Sequence, residues 1–273
     1  MIPLQELREK QRETGIALEV LEKDYCLGWL LKGVADSPLS GQAVLKGGTA
    51  LRKLYFPDYR FSEDLDFTMV EDLTEEALRQ GISTACTQAQ VASGIRFTLT
   101  DLEQTRVIPQ ETAWEARVEF VGPRQQVRSP RRIRLDLTAY EQVLLAPASR
   151  SVLHPYSDTF EARLSVYALE EVLAEKLRTI LQRGYPRDVY DTWYLLTHAG
   201  DQIDQRRANA VFQRKCAYKG VEAGDVNRFF EVLEEKNTAG HWTASLGAQI
   251  RNLPMFEQLQ MGLRATLTRL LES

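Results

Sequence analysis

Apolar residues recur at roughly helical spacing near the start of the chain. Ile16, Val20, Tyr25, Leu27, Leu30 and Leu31 form one stripe, which predicts helix over residues 3–35, broken near Thr14-Gly15. Pro38, with Ser and Gly around it, ends that segment. The period then shortens. Ala43 to Lys46 reads as a buried strand, Gly47-Gly48 as a turn, Thr49 as the start of a short helix, and Asp64 to Met69 as a second strand. Side chains two apart on a strand point the same way, so Leu65, Phe67 and Met69 face a core while Asp64, Asp66 and Thr68 share the other face. Thr74 opens a helix with Glu75 and Glu76 in its first turn, ending near Ser93-Gly94. Three alternating stretches follow and predict half-buried strands: Ile95 to Thr100, Trp114 to Phe120, and Ile133 to Thr138. Pro, Ser and His crowd the stretch from Ala146 to Asp158, which predicts a domain junction. Beyond it the pattern is helical: residues 168–183 closed by Gly184, 187–198 opened by Pro186, then 203–217, 224–236 and 254–271. The expected fold class is α/β (α+β), with a sheet-and-helix core over 1–155 and a helical domain over 156–273.

The polar positions of this pattern carry the candidate chemistry. Glycines at a strand-to-helix turn let the backbone turn tightly and approach a ligand, and the helix that follows offers unpaired N–H groups to phosphate. Asp64 and Asp66 have the spacing to hold Mg²⁺, which takes a few carboxylates together with phosphate oxygens and water. Asp136 lies in a strand of matching alternation and joins them as a third metal ligand if the strands are neighbours. An ordinary turn followed by an edge strand with a polar face is the plainer alternative. A second constellation lies in EKLRTILQRGYPRDVYD: Lys176 and Arg183 on one helix face, then Arg187, Asp188 and Asp191 on the next helix. This is either a salt-bridged helix corner or a site where Lys176 meets triphosphate oxygens and an acid orients it or prepares an attacking hydroxyl.

Composition narrows the setting. At 273 residues, 44% hydrophobic and 26% charged, the chain suits a folded soluble protein of one large or two modest domains. The net charge of −4 disfavours indiscriminate nucleic-acid coating, although local basic runs stand out. These are Arg124, Arg128, Arg131, Arg132 and Arg134, and then Arg206, Arg207, Arg214, Lys215 and Lys219, as RNA-contacting surfaces or solvated faces. Cys26, Cys86 and Cys216 are scattered without a CxxC, which points to a reducing cytoplasm and gives no zinc signature. No signal peptide and no bilayer-length apolar run are visible. His154, His198 and His241 lack metal-ligand spacing.

The succession KGGTAL, RFSEDLDF, LDLT and LAEKLRTILQR…RDVYD, preceded by LEKDYCLGWLL, resembles the AbiEii type of nucleotidyltransferase toxin, related to the MenT toxins. The resemblance covers about residues 20 to 198. It implies a nucleotidyltransferase-like mixed sheet, with a helical domain completing the active-site cleft. It also implies a toxin of a toxin–antitoxin or phage-defence pair, with a cognate antitoxin as partner. Some members add nucleotides to the 3′ end of tRNA. Carried over, Gly47 and Gly48 cradle phosphate with Lys46, Thr49, Ser62 and Arg187 as further phosphate contacts. Asp64, Asp66 and Asp136 bind Mg²⁺, with Mn²⁺ as a substitute, and Asp64, Lys176 and either Asp188 or Asp191 are catalytic. Many nucleotidyltransferases have Gly-Ser at the turn; here the turn is Gly-Gly-Thr, so Ser62 or Thr49 supplies the hydroxyl.

The expected reaction is transfer of NMP from an NTP to an RNA 3′-OH, with the tRNA acceptor end as the candidate. A small-molecule nucleotidyltransferase of the antibiotic-modifying kind, and a non-catalytic nucleotide- or partner-binding module, are the competing expectations.

Overall fold

The computed structural model describes residues 1–108, 111–139 and 141–272. Contacts divide them into two units: Met1–Val143 with Pro147–Tyr167, and Leu144–Ala146 with Ala168–Ser273.

The first unit holds a mixed α/β sheet. Helices α1 (Leu4–Thr14) and α2 (Leu18–Ala35) are separated at Gly15, whose left-handed backbone closes α1. After β1 (Ala43–Lys46), the short α3 (Gly47–Ala50) runs into a wider π-helical turn over Leu51–Tyr55. Then come β2 (Leu65–Met69), α4 (Glu75–Ser93), β3 (Arg96–Ile108), β4 (Glu111–Val121), β5 (Arg131–Ala139), β6 (Ala148–Ser151) and β7 (Arg163–Val166). The strands lie in the order β3-β4-β5-β2-β1-β7-β6. β2 runs parallel to β5 and antiparallel to β1, while β1 runs parallel to β7.

One face of the sheet is apolar: Leu65, Phe67, Ile133, Leu135, Leu137, Ala116 and Val118 are buried in one cluster with α2 and α4. Most of α2 is buried on all sides, including Glu22, Lys23 and Asp24, so the apolar stripe understates it. Its buried acid is a fastener. Asp24 takes Lys53 Nζ at 2.7 Å, Arg52 Nε at 3.5 Å and the Tyr156 hydroxyl at 2.8 Å. Burial pushes its carboxyl up, but Lys53 and Arg52 outweigh that and hold it down at about 2. The helix after the glycine pair is thus anchored to α2.

The second unit is helical: α5 (Leu169–Arg183), α6 (Pro186–His198), α7 (Gln205–Lys219), α8 (Val226–Glu235), α9 (Thr238–Leu246) and α10 (Phe256–Leu271). The buried carboxylate of Glu171 accepts from the backbone N–H groups of Leu144 and Leu145 and pairs with Lys215 at 3.0 Å, which fastens residues 144–146 to this unit. Lys215 is therefore an interior residue, not part of a basic surface. The expected boundary at 155/156 falls inside the first unit. The Pro-, Ser- and His-rich stretch carries β6 and the buried Tyr156, and β7 then joins β1 through Leu45 and Val166.

Candidate active site

The polar face of the sheet is built by register. Lys46 lies opposite Asp66, Asp66 opposite Asp136, and Asp136 opposite Glu115, so one row of ionisable residues crosses β1, β2, β5 and β4. Residues directly opposite on adjacent strands project to the same side. Asp64 precedes Asp66 by two and belongs to that side too. β2 and β5 are neighbours, which meets the condition set for Asp136 and brings it beside Asp66.

Among these acids stands Arg134. Its Nη2 lies 3.2 Å from Asp64 Oδ2 and 3.2 Å from Asp136 Oδ2, and its Nη1 lies 3.8 Å from Glu115 Oε2. Burial disfavours its charge, but Asp64, Asp136, Asp66 and Glu115 together raise its pKa. A second guanidinium stands on the same face: Arg117 Nη2 lies 2.8 Å from Glu115 Oε1. Burial, then the charges of Asp66, Asp64 and Glu115, push the Asp136 carboxyl up from 3.8 to about 6 against the pull of Arg134. Burial is the largest cause of that rise, and the neighbouring carboxylates add to it.

The glycine pair is shaped to this face. Gly47 has φ +75°, and a Cβ there would stand 2.5 Å from Asp66 Oδ2. At Gly48 a Cβ would stand 2.7 Å from Arg60 Nη2 and 3.0 Å from Ser62 Oγ. Only glycine leaves room for those polar atoms against the turn. The two candidate hydroxyls differ in placement. Thr49 is buried and its Oγ1 donates to the Asp64 carbonyl, while Ser62 Oγ faces the backbone of Gly48. Lys46 is largely buried, pairs with Glu141, and lies 5.8 Å from the centre of the Tyr167 ring.

No group of three or more His, Cys, Asp or Glu among the described residues stands ready-made to hold a metal ion. That does not conflict with the donor set. Mg²⁺ is ordinarily held by one or two carboxylates together with substrate phosphates, not by an all-protein cage. Oxygen donors suit a hard divalent ion, and Asp64, Asp66 and Asp136 are the residues that would hold one.

In the helical unit the second constellation is tightly paired. Lys176 Nζ lies 2.8 Å from Asp188 Oδ1 and 2.8 Å from Asp191 Oδ2, and Arg183 Nε donates to Asp188 Oδ2 at 2.8 Å. Both acids are fully buried. Burial would raise the Asp188 carboxyl, but Lys176 and Arg183 override it and hold it below the usual range. Arg187, on the first turn of α6, is half-buried.

Sequence reading missed Glu115, Arg134 and Arg60 as site residues. Glu115 shows the same alternation as the three aspartates, and Arg134 lies two before Asp136 on their face; both signals were present. Arg134 was expected instead on an RNA-facing surface. Of that basic run, Arg124 pairs with Glu19 and Arg132 with Glu119, so much of its charge is answered within the chain. The buried Arg60 carries no pattern that marks it.

Solved structures share this fold, among them MenT4 and JHP933. The nucleotidyltransferase toxin MenT4 from Mycobacterium tuberculosis H37Rv superposes with a TM-score of 0.65 at 19% identity, covering 100% of this chain and 91% of that one. JHP933 from Helicobacter pylori gives 0.59 at 17% identity, covering 94% of each. Among curated proteins none matches in sequence. Residues 29–262 match the family described as nucleotidyl transferase AbiEii toxin, type IV toxin–antitoxin system. That span takes in the glycine turn, the acidic row and the Lys176 cluster, and the chain belongs to this family of nucleotidyltransferase toxins.

Proposed function

We propose that the protein is a divalent-metal-dependent transferase that moves NMP from an NTP onto the 3′-OH of an RNA, with the tRNA acceptor end as the substrate. The observation that carries this reading is the row of Asp66, Asp136 and Glu115 with Asp64 beside it, adjoining a glycine turn. When bound, Mg²⁺ or Mn²⁺ supplies charge neutralisation at the triphosphate. Asp64, Asp66 and Asp136 hold it. Gly47 and Gly48 give the phosphates close access to the backbone, and Ser62 offers them its hydroxyl.

In the reaction the RNA 3′-oxygen bonds to the α-phosphorus, the bond from that phosphorus to the bridging oxygen breaks, and pyrophosphate leaves. The proton of the 3′-OH passes to a carboxylate of the acidic row. Such catalysis is mostly positioning and electrostatics.

We infer further that the protein acts in the cytoplasm as the toxin of a toxin–antitoxin or phage-defence pair, restrained by a cognate antitoxin. No helix among the described residues is long and apolar enough to cross a membrane. The test is incubation with each labelled NTP, Mg²⁺ and total RNA. Label should enter RNA with the wild type and not with Asp64→Ala, whose fold stays intact by circular dichroism. Equal incorporation by both proteins, or label entering only small molecules, overturns the reading.

A further inference from the structure

The helical unit contains a cleft of about 360 Å³ where the α5–α6 corner meets the start of α9. Arg183, Arg187, Lys236 and His241 line it, with Tyr185 and Thr238, and no acidic residue is among its lining. This runs against the composition, since the chain has 38 acids to 34 Lys and Arg. A surface cation in such a chain usually finds a carboxylate, yet among the described residues Arg187, Lys236 and His241 have no ion pair or hydrogen bond through their side chains. The nearby acids are already engaged: Asp188 with Lys176 and Arg183, and Glu235 with Arg228 at 2.9 Å.

The cleft is held in shape. Gly184 has φ +59° and a Cβ there would stand 3.1 Å from Lys236 Cβ, so only glycine lets the lysine stem lie against the corner. Thr238 Oγ1 donates to the Gly184 carbonyl at 2.7 Å and pins α9 to the same turn. Beside the cations, Tyr185 is 51% exposed and carries the Arg183 guanidinium 4.7 Å from its ring centre. Concentrated positive charge with an aromatic face at its edge is the chemistry that takes a nucleotide chain: cations neutralise phosphates and the ring stacks on a base.

We propose that this cleft binds phosphate groups of a single-stranded polynucleotide, the RNA on which the transferase acts. The inference rests on RNA being the acceptor, and it assigns Arg187, Lys236, His241 and Tyr185 to the RNA rather than to the triphosphate. Nucleotide phosphate could also come from a free NTP, so the test has two arms. Binding of a fluorescein-labelled 12-nucleotide RNA and of ATP is measured on the full chain, without turnover, between 50 and 200 mM salt. The protein is compared with Arg187→Gln/Lys236→Gln, and both are repeated with Asp64→Ala, so that failure of the transfer chemistry leaves the binding readable.

The double variant should bind the RNA on the order of tenfold more weakly. The slope of log affinity against log salt should become shallower by about 1.4, as two phosphate contacts to a single strand require. ATP binding should stay unchanged. Unchanged RNA affinity and slope overturn the proposal, as does loss confined to ATP. Both substituted side chains reach solvent, and matching melting curves confirm that the comparison is between folded proteins. If the transfer reaction is absent from wild type yet the RNA arm behaves as expected, the cleft stands and the enzymatic reading falls.

Discussion

The acids at the sheet face and the acids at the α5–α6 corner are the same chemical groups in opposite electrostatic situations. At the corner, Asp188 and Asp191 are fully buried, but Lys176 and Arg183 meet them at 2.8 Å, and Asp188 is held below its usual pKa. On the sheet, Asp136 shares the half-exposed guanidinium of Arg134 with Asp64, Glu115 has Arg117 as well, and burial with the neighbouring acids raises the Asp136 pKa to about 6. Burial alone therefore does not distinguish a site from a fastener. The corner's cations outweigh burial and hold Asp188 down, whereas on the sheet burial and neighbouring acids prevail and Asp136 stays raised.

Four substitutions would break or sharpen this contrast. Asp66→Ala should lower nucleotide incorporation by about 10³-fold or more, because metal-borne charge stabilisation at the transition state amounts to several kcal/mol. Its urea midpoint should barely move, and a large loss of stability there would refute the assignment. Asp188→Ala should do the reverse on stability, costing about 3–5 kcal/mol in urea unfolding by leaving Lys176 buried and partly unpaired.

The third concerns pH. The folded carboxyl of Asp136 sits at about 6, above its ordinary 3.8, so the native state holds that proton more tightly than the unfolded chain. Its contribution to stability is fully present below 3.8 and is lost as pH rises through about 6. Asp136→Asn should remove that fall in chelator-treated protein, a difference on the order of 1 kcal/mol after allowing for solvent screening. Thermal unfolding across this pH window measures it. The smallest effect is expected of Arg134→Ala, which should cost the metal-free protein on the order of 1 kcal/mol or less, as half-exposed pairs do. Mn²⁺ titration should then raise its melting temperature more than that of wild type.

Much of this was legible in the sequence. The two-residue period placed Asp64, Asp66 and Asp136 on polar strand faces, because a strand with one buried side must alternate. Register was not legible, since it depends on which strands pair, and so Glu115 could not be distinguished from Glu119 four residues along the same face. The helical unit shows the same limit. Gly240, His241 and Thr243 blur the period of α9, and no helix was expected there although Trp242 and Leu246 are buried in it. β6 escaped as well: ASRS is a short, mostly exposed edge strand with no apolar member beyond Ala148. Asp24 read as one more polar residue of a helix, because its role depends on Arg52, Lys53 and Tyr156, which only folding brings near.

Arg134 gives the chain its own occupant for the acidic row. On the proposed reading, folding and metal uptake would be separate events: the toxin would assemble where divalent ions are scarce, with its carboxylates kept from repelling one another. A newcomer must then compete with a tethered side chain, so a bare ion gains less by entering than one arriving with the phosphates of its nucleotide.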